Sequence, residues 1–306
     1  MNLTPNTQKH LYGMTNEFNS FVSLFKKKNF PNKILLSGQK GIGKCTLALH
    51  LINYILSINE EFPYDLDNFK INDQNRSYKL VLNKSHPNFT SIDIMPEKKS
   101  IDISQIRNLI LNLNKSSFNS KPTFILIDNV EFLNLNSANS LLKILEEPKN
   151  NVNFILINNN KKILPTIKSR CLEFKISMSN KTALSVIDKL LDTNLFEYIN
   201  NELLDYYFTP GKIYKLVKFS EEFEINLKET TLHEFISLII QESYYKKDNF
   251  IRYLIFDLIE HYLVDKISLE NTNLFNYFFK KIENTKKFNL DEEALFIEFK
   301  TNFLNG

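Results

Sequence analysis

The chain has 306 residues, 43% of them hydrophobic and 24% charged, with a net charge of +3. That length suits two or three domains, and the composition is that of a globular protein rather than a disordered one. The charge excess is too small to argue tight autonomous binding to nucleic acid. No apolar run reaches the length of a membrane span and the N-terminus lacks an apolar signal core, so a cytoplasmic location with no membrane partner is expected. The two cysteines, Cys45 and Cys171, are far apart and cannot form a four-cysteine metal site, and the five histidines show no ligand spacing. No zinc is expected.

In chain order, residues 33–37 read as a short buried strand, followed by a Gly-rich turn and a helix over 44–57. Residues 59–85 are polar and irregular and read as an insertion or flexible connection. Residues 89–95 alternate like a strand. Residues 102–114 place Ile103, Ile106, Leu109, Ile110 and Leu113 on one helical face, with Asp102 positioned to cap it. Pro122 opens an apolar strand, Thr123-Phe124-Ile125-Leu126-Ile127, that ends in Asp128. A helix over 137–147 is closed by Pro148. Further strands are predicted over 153–157 and 172–176. Apolar strands separated by helices imply an α/β fold with a parallel sheet covered on both faces. Beyond about residue 177 the pattern becomes helical, with segments over 181–192, 195–207, 211–219, 229–245, 248–267, 271–284 and 290–304. Phe250, Tyr253, Leu254, Phe256, Leu258 and Tyr262 predict a helix covered on more than one face.

Gly38-Gln39-Lys40-Gly41-Ile42-Gly43-Lys44-Cys45-Thr46 lies between a strand and a helix, the setting of a phosphate-binding loop. Gly38, Gly41 and Gly43 let backbone N–H groups turn towards phosphate oxygens at a helix N-terminus, and Lys44 supplies a point charge. The residue after the lysine should carry a hydroxyl for magnesium, and Cys45 offers a thiol instead. Thr46 is the nearest hydroxyl, but adjacent helical side chains point about 100° apart. Asp128 fits the strand-end aspartate that holds magnesium. The water-activating glutamate expected directly after it is replaced by Asn129, and an amide cannot accept a proton. Glu131, three residues beyond Asp128, is a poor substitute. Both departures predict depressed phosphoryl transfer.

Ser137-Ala138-Asn139-Ser140-Leu141-Leu142-Lys143-Ile144-Leu145-Glu146-Glu147-Pro148 closely resembles the AANALLKxLEEPP signature of bacterial DNA polymerase III clamp-loader subunits. Leu164-Pro165-Thr166-Ile167-Lys168-Ser169-Arg170-Cys171 resembles the LPTIRSRC segment of the same AAA+ P-loop family, with its Ser-Arg-Cys triplet intact. Leu11-Tyr12-Gly13 and His86-Pro87 add further matches, and the resemblance covers about residues 6–176.

The resemblance implies an AAA+ P-loop domain at 1–177, a helical lid at 178–220 and an all-helical collar at 221–306. It implies an ATP and magnesium site, weak or vestigial here, built from Gly38, Gly41, Gly43, Lys44, Cys45, Thr46 and Asp128. It makes Arg170, between Ser169 and Cys171, an arginine finger acting on a neighbouring motor subunit, a role that a planar permanent cation suits. Implied partners are the motor subunits and the delta subunit of the loader, with the sliding clamp and primed DNA reached through the assembled complex. The alternatives are a motor subunit of the same machine or an independent P-loop ATPase. Cys45, Asn129 and the missing zinc cysteines at 59–85 favour a stator with little turnover of its own. Asn158-Asn159-Asn160 occupies the position of the family's polar phosphate sensor, and Thr209-Pro210-Gly211-Lys212 resembles its lid turn.

Overall fold

Five apolar segments of the first half pair into one parallel sheet, ordered β2-β3-β4-β1-β5, in a computed structural model. The structure describes residues 4–95, 98–114, 120–204, 208–266 and 272–304. In chain order the sheet region comprises α1 (Thr15–Lys26), β1 (Lys33–Ser37), α2 (Lys44–Ser57), α3 (Arg76–Leu82), β2 (Phe89–Ile92) and α4 (Ile103–Asn114). It continues through β3 (Thr123–Ile127), α5 (Leu135–Glu146), β4 (Val152–Asn158), α6 (Pro165–Lys168) and β5 (Leu172–Lys175). Interior β1 pairs with β4 from Lys33↔Phe154 to Ser37↔Asn158, and with β5 from Ile34↔Leu172 to Ser37↔Lys175.

The period-two geometry of a strand divides the core in two. Ile34, Leu36, Phe124, Leu126, Ile155 and Ile157 face the layer of α1 and α2. Leu35, Ile125, Ile127, Phe154 and Leu156 face the layer that includes Leu109, Leu141 and Leu145 of α4 and α5. These strands are apolar throughout because both faces are covered.

The predicted strand at 89–95 is shorter, ending at Ile92. The helix predicted from residue 137 begins at Leu135, because Asn134 caps it by accepting from the Ser137 N–H at 2.8 Å. The Asp102 carboxylate pairs with Lys98 at 3.2 Å, while its backbone N–H donates to Gln105 Oε1 at 3.0 Å.

The reading of 59–85 as an irregular, flexible insertion is corrected. Tyr64, Ile71 and Tyr78 are buried, and Asn75 is fully so. Asn75 caps α3 by accepting from the Tyr78 N–H at 2.6 Å and also accepts from Asn53 Nδ2. Its own amide donates to Glu60 Oε2 and to the Phe62 carbonyl. The Glu60 carboxylate also accepts from the Ser77 N–H, the Ser77 hydroxyl and Lys121 Nζ. The polar composition of this stretch is therefore internal wiring, since buried polar groups must find partners.

The remaining helices are α7 (Asn180–Leu191), α8 (Leu195–Tyr198), α9 (Asn201–Leu204), α10 (Pro210–Glu222), α11 (Leu232–Gln241), α12 (Tyr244–Lys247), α13 (Asn249–Lys266), α14 (Thr272–Phe288) and α15 (Glu292–Phe299). Two compact units result. The first is residues 1–186 with 209–211, and the second is 187–208 with 212–306. The predicted helix at 195–207 is two pieces, because Ile199 is extended and the Asn200 N–H donates to the Leu227 carbonyl. Residues 205–207, 267 and 271 of the predicted helices lie outside the described residues. The segment predicted at 229–245 breaks at Ser243, which adopts positive φ. Within the second unit, Leu254, Phe256, Leu258 and Tyr262 of α13 are buried, as a helix covered on several faces requires, whereas Tyr253 is 70% exposed. Phe278 meets Phe299 and Phe303 edge to face there.

Candidate nucleotide site and arginine motif

The loop after β1 has the shape a phosphate loop needs. Gly41 and Gly43 take φ of 91° and 98°, conformations open to glycine, and Gly43 hands the chain to α2. The loop's other polar groups are bonded within the first unit. Lys44 is 3% exposed, and its Nζ donates to the carbonyls of Gly38 at 2.8 Å and Gln39 at 2.7 Å, and to Asn159 Oδ1 at 3.0 Å. Burial lowers its pKa to about 8, against the pull of the Asp128 and Glu131 charges. Thr209 Oγ1 donates to the Lys40 carbonyl at 2.9 Å, and the Gly211 N–H donates to the Gly41 carbonyl at 2.9 Å. A Cβ on Gly211 would lie 2.9 Å from Gly41 Cα, so only glycine fits that approach.

Among the three asparagines after β4, the geometry singles out Asn159. Its carbonyl oxygen accepts from Lys44, and its amide donates at 2.9 Å to both Asn129 Oδ1 and Glu131 Oε1. Asn158 turns to the Lys161 backbone, and Asn160 takes φ of 56° and is exposed. Asn129 also has positive φ, 55°, which asparagine tolerates better than most residues. Its Nδ2 donates to Asp93 Oδ1 at 2.7 Å. Sequence reasoning passed over Asp93. The available signal was a carboxylate just past the end of β2, level with Asp128 on the neighbouring strand β3.

At the expected metal position, the Cys45 thiol stands near enough to the Asp128 carboxylate for each to influence the other's protonation. Burial, then Asp128, pushes the thiol pKa well up, so Cys45 stays protonated. Burial and nearby Asp93 likewise raise Asp128. Thr46 is half-buried one residue further along α2. The glycines and Lys44 fit a polyphosphate. The donor set beside them does not fit magnesium, because a protonated thiol stands where the loop should offer a hard oxygen.

Arg170 lies in the turn between α6 and β5. Its Nη1 donates to the Thr166 carbonyl at 3.0 Å and its Nη2 to Glu146 Oε1 at 2.5 Å. The guanidinium remains about a third exposed. Ser169 is exposed and donates to Thr166, while Cys171 packs on the core and burial lifts its thiol to about 11. Lys212 pairs with Asp257 at 2.8 Å, both within the second unit.

A five-stranded parallel sheet with a glycine loop after interior strand β1, an aspartate ending β3 and a polar asparagine ending β4 defines an AAA+-type P-loop fold. Residues 13–180 match the family described as DNA polymerase III, delta subunit, and the chain belongs to that family. A "DNA polymerase III subunit delta'" of Buchnera aphidicola is 24% identical over 87% of this chain and 83% of its own length. The Pseudomonas aeruginosa protein of the same description is 31% identical over 45% of this chain and 41% of its own. A DNA polymerase III gamma subunit-related protein of Thermotoga maritima shares the fold, with a TM-score of 0.51 and 18% identity, over 93% of this chain and 98% of that one.

Proposed function

We propose that the chain serves as a delta-prime-type subunit of a cytoplasmic clamp loader, helping to place a sliding clamp on primed DNA while hydrolysing little ATP itself. The observation that carries the stator reading is Cys45 at the loop position that should hold a hydroxyl, with Asn129, bonded to Asn159, standing where a catalytic carboxylate belongs. A site without the loop hydroxyl for magnesium or a water-orienting base keeps the means to hold phosphate and loses the means to transfer it. In this reading the collar, residues 221–306, joins the chain to motor and delta subunits, and Arg170 reaches a neighbour's nucleotide. There its guanidinium offsets charge developing on the transferred phosphoryl group, an effect worth ~10³–10⁵ in rate at such sites.

ATP turnover by the purified chain with magnesium, beside a Lys44→Ala control, tests the first half. Turnover no higher than the control supports the stator, and robust turnover lost in the control makes the chain a motor. Arg170→Ala in the reconstituted loader, stimulated by clamp and primed DNA, tests the second half. Sharply lowered turnover with normal assembly is expected, and unchanged turnover removes the finger assignment.

A further inference from the structure

We infer that Glu146 is the positioning residue of the arginine motif, fixing the direction in which Arg170 presents its guanidinium. The inference rests on the reading of Arg170 as a finger and deepens it.

Arg170 stands on little regular structure of its own. α6 is a single turn, and Arg170 lies two residues past its end. What fixes the backbone here is burial on either side, Ile167 at 1% exposure and Cys171 packed into the core. Neither contact restrains the long side chain beyond Cβ. Two bonds do, and they come from different directions. The Thr166 carbonyl takes Nη1 from within the motif, and Glu146, the last residue of α5, takes Nη2 from outside it. A planar ion held at two separate nitrogens has its plane and heading fixed, and its terminal rotamers are no longer free to scatter.

The two segments that carry the family resemblance, residues 137–148 and 164–171, therefore meet in space at this one ion pair. The bonds use two of the five guanidinium N–H groups, which leaves donors to meet phosphoryl oxygens. The Glu146 side chain is 52% exposed, so the pair is screened and weak, able to orient the cation without neutralising its attraction for a phosphate. Preorganised charge acts on the transition state because no reorientation is needed when charge develops.

The test is the steady-state ATPase of the reconstituted loader with clamp and primed DNA, comparing Arg170→Ala, Glu146→Ala, Glu146→Gln and the double alanine variant. Glu146→Ala is expected to lower kcat roughly 5–10-fold with KM for ATP unchanged, the pattern of an interaction realised in the transition state. Glu146→Gln, which keeps an acceptor oxygen and loses the charge, should fall between. In the Arg170→Ala background the Glu146 change should have no further effect. A loss with Arg170→Ala but none with Glu146→Ala overturns the positioning role, as does an equal loss in both backgrounds or a rise in turnover on removing Glu146. If Arg170→Ala itself changes nothing, the finger reading fails first and the positioning role with it.

Discussion

Lys44 Nζ and Asn159 Oδ1 lie 3.0 Å apart, and this bond ties the phosphate loop to the end of β4. It continues through Asn159 to Asn129 and Glu131, and through Asn129 to Asp93. The ends of β1, β2, β3 and β4 are thus linked by side chains around the phosphate loop.

Lys44 should therefore be structural as well as phosphate-binding. Lys44→Met strands three acceptors, the Gly38 and Gln39 carbonyls and Asn159 Oδ1. A loss of about 1–3 kcal/mol is expected, because buried acceptors left unpaired cost their desolvation. Urea unfolding of the purified chain measures it, and an unchanged midpoint would show that the three bonds contribute nothing.

Restoring the missing base should fail when done alone. Asn129→Glu places a carboxylate against Asp93 and Glu131, and in a positive-φ position that costs non-glycine residues about 1–2 kcal/mol. The single variant should melt several degrees lower without gaining ATPase. Adding Asp93→Asn should recover part of the melting temperature, and Cys45→Thr is the further change needed before turnover can rise. Thermal melts and phosphate release on the series separate the contributions.

Gly211→Ala should detach the turn at 209–211 from the phosphate loop. The new methyl would sit 2.9 Å from Gly41 Cα and 3.0 Å from its carbonyl oxygen, both backbone atoms that cannot rotate away. A cost of about 1–3 kcal/mol is expected from such overpacking. Hydrogen exchange at Gly41, Ile42 and Gly211 should rise more than in β3, a pattern that general destabilisation would not produce.

The fold should be acid-sensitive above the usual carboxylate range. Burial lowers both His50 and His86 to about 4. A histidine depressed in the folded state contributes stability that is complete above its unfolded pKa near 6.5 and is lost as pH falls from there towards 4. Burial tends to raise Glu60, but Ser77 and Lys121 outweigh it and leave the carboxyl below its ordinary value. Its contribution fades at still lower pH, in the same direction. His86 Nδ1 accepts from the Asn88 N–H at 3.0 Å, a bond that protonation destroys. The melting temperature should drop steadily from pH 7 to 4.5, and His86→Gln should flatten that slope. An equal slope in the variant would assign the acid sensitivity elsewhere.

Much of this was readable from residue order, and for physical reasons. Ile125, Leu156 and their neighbours announce a sheet buried on both faces because no polar residue interrupts them. Gly41, Gly43 and Lys44 announce a phosphate loop because few other residues permit that backbone. Positions 59–85 were misread because Asn75, Glu60 and Ser77 look solvated in a linear string, and only the fold shows that they satisfy one another. Asn159 could not be told from its two neighbours by type. The direction each takes as β4 ends, and Asn160's positive φ, make the distinction. The breaks at Ile199 and Ser243 follow from tertiary bonds and backbone angles that helical periodicity does not encode.

The three residues at 209–211 belong structurally with the sheet although 169 positions of sequence separate Thr209 from Lys40 of the loop they hold. Dissection of the gene has to respect this. A fragment ending at Val186 would contain every strand and the whole glycine loop, yet would leave the Lys40 and Gly41 carbonyls without the Thr209 and Gly211 donors that close on them. The sheet region is thus completed by a clasp translated after all five strands, and its phosphate loop closes only once residue 211 has emerged.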